Sequence, residues 1–321
     1  VQQAKKKKSK FWIILLVVAV IVLAYKSINA LNGKSLLGKI DSDKAGPVPS
    51  LTVASDPNVS VSIGSLHSPH AILVRLDDHA ILMQKMSEQK IYPASLTKIM
   101  TAIVAIENLS DLQKKIELPN SMFQELYKAD ASMAGFQPNE KVKAIDLLYG
   151  VLLPSGAECC IGLADHIAGS EQEFVAKMNQ KAKVLGMSNT HFTNSTGLQD
   201  KNHYTTVKDL SKLLSYALQN STFRDVFTSA RYSTASTNKH PNGITFNSTM
   251  FKNIENPVIN GGKILGGKTG YTDEAGLCLA SLAQKDGKEY ILITAGAKGN
   301  HQSEQYNIDD AYEVYNRLGK N

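Results

Sequence analysis

The chain has 321 residues, 35 Lys plus Arg against 29 Asp plus Glu for a formal charge of +6, with 43% hydrophobic and 20% charged residues. That composition is globular and excludes a disordered or fibrous chain. Six of the cations (Lys5–Lys8, Lys10 and Lys26) lie in residues 1–26, which hold no acid; without them 29 cations face 29 acids. The excess is one terminal block, not the basic stripe a nucleic-acid partner needs on a folded domain, so no nucleic acid is expected.

Residues 1–10 read as a cytoplasmic basic segment. They run into Phe11–Tyr25, 15 uncharged and mostly apolar residues. As a helix these span roughly 22 Å, short of the roughly 30 Å hydrocarbon core. Lys10 and Lys26 can snorkel, and Trp12 and Tyr25 suit the interfaces. Residues 11–26 are therefore expected to be a membrane anchor or signal segment. The first reading leaves a single-pass protein in the cell membrane with its domain on the extracytoplasmic face. The alternative is secretion after cleavage near Ile28-Asn29-Ala30.

Residues 27–68, rich in Ser, Gly, Pro, Asp and Asn, read as an extracytoplasmic linker. A domain over 69–321 follows. Ala71–Leu76 and Ala80–Met83 around Asp77-Asp78 predict a β-hairpin. After Tyr92-Pro93-Ala94 an apolar helix is predicted from Ser95 to about Asn108. Residues 110–225 are mostly helical in pattern. A second β region starts near Lys263, and Leu277–Gln284 and Glu289–Ala297 flank Asp286-Gly287, a strong hairpin signal. Residues 303–318 close with a helical pattern. The order predicts an α+β fold: an antiparallel sheet from both chain ends, flanked by helices, with an inserted all-helical subdomain. Cys159, Cys160 and Cys278 read as buried small hydrophobes, no Cys/His spacing suggests a metal site, and no cofactor is expected.

Three Ser-x-x-Lys tetrads occur, Ser87…Lys90, Ser95…Lys98 and Ser236…Lys239, so the tetrad alone is a weak signal. Ser95…Lys98 differs because it opens a buried-looking helix directly after Pro93. Its i, i+3 spacing puts both side chains on one face, and the helix start supplies free N–H groups and a positive dipole end where an oxyanion would form. A lysine acts as a base only when neutral, which needs burial or a second cation nearby. Lys268 in Gly266-Gly267-Lys268-Thr269-Gly270 is the candidate second cation. The glycines there permit close approach of an extended ligand to a strand edge.

These motifs resemble the serine acyl-transferases that bind penicillin. Tyr92-Pro93-Ala94-Ser95-Leu96-Thr97-Lys98, Leu153-Pro154-Ser155-Gly156, Thr190–Leu198, His203–Thr206 and Lys268-Thr269-Gly270-Tyr271-Thr272 are similar, in order, to segments of the serine-type D-alanyl-D-alanine carboxypeptidases, the low-molecular-mass penicillin-binding proteins. The resemblance covers about residues 70–300 and implies the penicillin-binding/β-lactamase-like transpeptidase fold. It implies Ser95 as the acylated nucleophile, Lys98 as its base and Ser155 as a proton relay. Lys268 and Thr269 would hold the substrate carboxylate, with Gly270 and Tyr271 on the same binding strand. Lys268 would also help keep Lys98 neutral. The N–H groups of Ser95 and Tyr271 would form the oxyanion hole. The implied partners are peptidoglycan stem peptides and β-lactam antibiotics, with the membrane reached through the N-terminal helix.

One departure stands out. The middle motif of this family is usually Ser-x-Asn, but here Ser155-Gly156-Ala157 is followed by Glu158, and alanine lacks the amide. Glu158 is read first as a surface or helix-start residue, with a catalytic role as the alternative. His203 and the Asn194–Gly197 turn are read as structural. The leading function is a carboxypeptidase. The alternatives are a DD-endopeptidase on the same fold, less so a β-lactamase, or a non-catalytic membrane-tethered wall-binding module.

Overall fold

Two ends of one chain meet in one sheet. The computed structural model describes residues 48–53 and 66–319; the proposed anchor at 11–26 and most of the linker lie outside them. The described residues pack as one unit. Among the described residues no helix is long and apolar enough to cross a membrane.

In chain order, β1 (Thr52–Val53), β2 (His70–Arg75) and β3 (Ala80–Lys85) precede α1 (Thr97–Asn108). Then come β4 (Lys115–Leu118), α2 (Ser121–Lys128), β5 (Glu140–Lys143), α3 (Ala144–Leu152), α4 (Ala157–Ala168) and α5 (Glu171–Val184). They are followed by α6 (Val207–Ala217), α7 (Ser221–Thr228), β6 (Arg231–Ser233), β7 (Thr245–Asn247) and β8 (Val258–Ile259). β9 (Gly262–Thr272), β10 (Gly276–Lys285), β11 (Lys288–Ala297) and α8 (Tyr306–Arg317) complete the fold.

The main sheet has the order β1-β3-β2-β11-β10-β9-β8. The expected antiparallel sheet from both chain ends is there, joined where Tyr290–Ala295 of β11 pairs with Arg75–His70 of β2. The β10–β11 turn follows from its sequence: Asp286 and Gly287 have φ of 49° and 77°, the double left-handed geometry of a tight hairpin whose twist matches its strands. The linker expectation is modified at two points. Thr52–Val53 pairs in parallel with Ala80–Ile81. The N–H groups of His67 and Ser68 each donate to the Asp310 carboxylate at 2.8 Å, tying the domain's start to α8.

The expected all-helical insertion is corrected. β4 and β5 pair antiparallel, Ile116 opposite Val142, within the helical region. Each strand buries alternate residues, Ile116 and Leu118 on one and Glu140 and Val142 on the other. That period of two selects strand over helix, but four residues are too few to announce it in the sequence.

α8 covers one face of the sheet, placing Val314 and Tyr315 against Leu73, Leu279 and Leu292. α1 is buried on all sides, without a break from Thr97 to Val104 and Ala105. A helix apolar all round belongs inside a fold, between layers. It carries the serine and lysine into the interior and is tied there by Lys181, whose ammonium lies 2.6 Å from the Glu107 carboxylate and donates to Tyr216 Oη at 3.2 Å.

Candidate active site

The nucleophile segment begins with a strained residue. Ala94 has φ of 46° and starts the single turn Ala94–Leu96 that leads into α1. The turn sets Ser95 at the head of α1, and Lys98 Nζ donates to Ser95 Oγ at 3.1 Å, as the i, i+3 spacing predicts. A second contact was not legible beforehand: Lys98 Nζ donates to the Thr196 carbonyl at 2.6 Å. Lys98 is buried, and that burial pushes its amine below the ordinary lysine range, with Cys160 and Glu158 acting in the opposite direction. An amine in this setting can direct its lone pair at the serine hydroxyl and keep one N–H on Thr196.

The turn holding that carbonyl is built by side chains. Asn194 Oδ1 accepts the Gly197 N–H at 2.7 Å, and Glu171 Oε1 accepts the Ser195 N–H at 2.7 Å and its hydroxyl at 2.6 Å. From α1, Thr101 Oγ1 donates to the Ser195 carbonyl at 2.6 Å. Gly197 has φ of 82°, and a Cβ there would lie 2.0 Å from the Ala94 carbonyl oxygen. The Asn194–Gly197 turn therefore sits directly on the nucleophile turn.

His203 is structural in its contacts. Its Nδ1 accepts the Thr193 N–H at 3.1 Å, so the neutral ring carries its proton on Nε2, which donates to Thr97 Oγ1 at 2.8 Å. Burial lowers its pKa to about 4. The three cysteines are free and buried. Burial raises the Cys160 and Cys278 thiols to about 12, which keeps them inert.

Ser155 lies between α3 and α4 with φ of 69°. Its Oγ is buried and has no hydrogen-bond partner. Glu158 is a helix-start residue, in the first turn of α4, but it is buried and not at the surface. Its Oε1 accepts the N–H groups of Ala134, Gly135 and Phe136 at 2.8, 2.9 and 3.3 Å, and burial raises its pKa.

β9 crosses in front of the nucleophile. A Cβ on Gly270 would lie 3.1 Å from the Ser95 nitrogen, so the strand passes as close as a missing side chain allows. Lys268 is fully buried and its Nζ donates to the Thr269 carbonyl at 2.7 Å. Burial, and then the charge of Lys98, push it well below the ordinary lysine range. The two amines thus share one low-dielectric region, where carrying both charges together is disfavoured. Thr269 Oγ1 donates to Thr249 Oγ1 at 2.7 Å. These threonines, with Lys252, Gly270, Tyr271 and His301, help line a cavity of about 240 Å³. Thr249 and Lys252 had no signal in the sequence; they come from the 3-10 turn Phe251–Asn253 and the residues just before it, which only the fold brings beside β9.

Comparison with known proteins places the chain in a family. The family described as D-alanyl-D-alanine carboxypeptidase, peptidase S11, matches residues 55–299. The D-alanyl-D-alanine carboxypeptidase DacF of Bacillus subtilis is 33% identical over 240 residues, 71% of this chain and 57% of that protein. The chain thus spans little more than half the length of that relative. The D-alanyl-D-alanine endopeptidase of Escherichia coli is 28% identical over 253 residues, 78% of this chain and 76% of that protein. The crystal structure of the Streptomyces K15 DD-transpeptidase matches with a TM-score of 0.70 and 28% identity, over 79% of this chain and 97% of that one. With a family match over most of its length on top of the Ser95–Lys98 geometry, the chain belongs to the peptidase S11 family of D-alanyl-D-alanine carboxypeptidases.

Proposed function

We propose that the chain is a serine-type D-Ala-D-Ala carboxypeptidase that removes the terminal D-Ala from peptidoglycan stem peptides and is acylated by penicillins. The observation that carries this reading is the 3.1 Å contact between Ser95 Oγ and the buried amine of Lys98. Neutral Lys98 takes the hydroxyl proton as Ser95 attacks the carbonyl of the penultimate D-Ala. The oxyanion forms between the N–H groups of Ser95 and Tyr271, in the region where β9 meets the head of α1. Ser155 relays that proton from Lys98 to the leaving amine, D-Ala departs, and water hydrolyses the ester. Thr269 takes the substrate carboxylate. Lys268, buried and donating to a carbonyl of its own strand, contributes through its field rather than by direct contact.

A cell-wall cross-link presents the same D-Ala carbonyl with a larger leaving group, and the likeness to an endopeptidase supports that second reading. The basic and apolar residues at 1–26 support a single-pass protein with this domain outside the membrane. Resistance of the full chain to alkaline extraction from membranes tests that placement, and recovery in the soluble fraction overturns it.

The activity is tested by incubating residues 31–321 with a pentapeptide stem, a cross-linked dimer and a fluorescent penicillin. Free D-Ala from the stem and a covalent adduct are expected, and Ser95→Ala should abolish both. Monomer released from the dimer at a comparable rate would shift the assignment to endopeptidase. No turnover and no adduct would leave the wall-binding module.

A further inference from the structure

Ser155 occupies a conformation that costs a non-glycine residue about 1–2 kcal/mol and persists only where its surroundings enforce it. The enforcing contacts come from Gly150 in α3 and from a segment distant in sequence. Gly156 N–H donates to the Gly150 carbonyl and Ala157 N–H to the Ser132 carbonyl, both at 2.8 Å. Gly156 also packs flat against Ala134: a Cβ on Gly156 would lie 2.6 Å from the Ala134 Cβ and 2.9 Å from its nitrogen. The stretch 132–136 therefore lies across the Ser155 turn like a clamp.

One side-chain oxygen holds three successive N–H groups of that clamp, Oε1 of Glu158. A second anchor is apolar, the Phe136 ring edge-on to Phe246 with centroids 5.7 Å apart. Glu158 Oε2 is buried without a hydrogen-bond partner and lies against the same glycine, 3.0 Å from where a Cβ on Gly156 would sit. An unsatisfied buried carboxylate oxygen is costly, and its retention beside the strained turn argues that the three-donor grip outweighs that cost. In place of Ala157 the family usually carries an asparagine amide; here that methyl group offers no hydrogen bond to fix the turn from within.

We propose that Glu158 is the positioning residue of this site: by gripping residues 134–136 it locks the 132–136 clamp over Gly156 and fixes where the Ser155 hydroxyl points. This inference rests on the acyl-transfer reading, in which Ser155 handles the proton of the leaving amine. It assigns Glu158 no contact with substrate. Misplacing a relay group by about 1 Å is enough to cost about 100-fold in rate.

The test measures acylation by a fluorescent penicillin under single-turnover conditions, separating the binding constant Kd from the acylation rate k2, with labelling amplitude as the count of folded sites. Glu158→Ala should lower k2 about 30- to 100-fold, leave Kd within about threefold and keep full amplitude. Glu158→Gln keeps an oxygen for the three N–H groups and should restore k2 to within about threefold of wild type. Gly156→Ala presses on Ala134 from the other side and should slow k2 about tenfold with Glu158 intact. Wild-type k2 in Glu158→Ala, a loss of amplitude alone, or Glu158→Gln no faster than Glu158→Ala overturns the proposal. Where Glu158→Ala yields no folded protein, Gly156→Ala decides, and wild-type k2 in that variant overturns it. No adduct in the wild type would instead sink the acyl-transfer reading itself.

Discussion

The two halves of the site are held in different ways. Around Ser95 and Lys98 the polar groups are partnered: the lysine on Ser95 and Thr196, the Thr196 turn on Asn194, Glu171 and Thr101, and His203 bridging Thr97 to Thr193. Around Ser155 two buried oxygens, its own Oγ and Oε2 of Glu158, have no partner, and the backbone is left-handed at a serine. The nucleophile is thus preorganised by saturation, as a group that must deliver the same geometry in every turnover should be. The relay side keeps hydrogen-bonding capacity in hand, with the Ser155 hydroxyl unpartnered, and is fixed by backbone clamping.

The hardest way to break this contrast is to remove the lysine from the saturated half. Lys98→Met keeps the length and the packing but deletes the base. Acylation should fall by about 10³-fold or more, at the upper end of what a general base supplies. The measurement is k2 for penicillin; a loss under about tenfold would mean that another group takes the Ser95 proton. Next in size is the junction between the turns. Gly197→Ala combines left-handed strain with a clash against the Ala94 carbonyl, so an unfolding penalty of about 3–4 kcal/mol is expected. Gly186→Ala is the control: its φ is 65°, but nothing lies within 4 Å of the added carbon. It should cost only the strain, about 1 kcal/mol. Equal penalties in denaturant titrations would show that the Gly197 contact is not tight.

What the sequence revealed and what it hid divide along the same line. The Ser95–Lys98 pair was legible because helical spacing is local, and the β10–β11 hairpin because Asp286-Gly287 names its own turn. Thr196 was not legible. Its contribution is a backbone carbonyl 98 positions away from Lys98, and every residue type has one. Glu158 was visible beside the Ala157 departure from the usual motif, but its direction depends on the 132–136 segment, which has no periodicity to place it. Lys268 was found as a motif, yet its burial and its bond to the Thr269 carbonyl come from the strand's position in the sheet. The β4–β5 pair escaped because two four-residue strands sit among strong helical signals. Pattern reading reaches contacts made within one element; contacts between elements have to be seen in the fold.

An effect smaller than the Gly197 penalty comes from pH and tests whether His203 belongs to the saturated half. Its ring is neutral in the fold, and its pKa falls from 6.5 to about 4 because of burial. Between those values the unfolded chain binds a proton that the folded chain refuses, so stability is complete above pH 6.5 and drains away as pH falls towards 4. By pH 5 the loss amounts to about 2 kcal/mol. Glu158, Asp146 and Asp165 are shifted upward by burial and act with the opposite sign, being relieved as pH falls. The wild-type curve alone therefore mixes both effects. His203→Gln keeps a donor towards Thr97 and removes the titration, so the difference between the two proteins isolates the histidine. Unfolding free energies at pH 7.5 and pH 5 should show the wild type losing about 2 kcal/mol more than His203→Gln. Parallel losses would mean that the ring accepts a proton in place, and that the link between Thr97 and Thr193 is looser than the rest of the nucleophile's support.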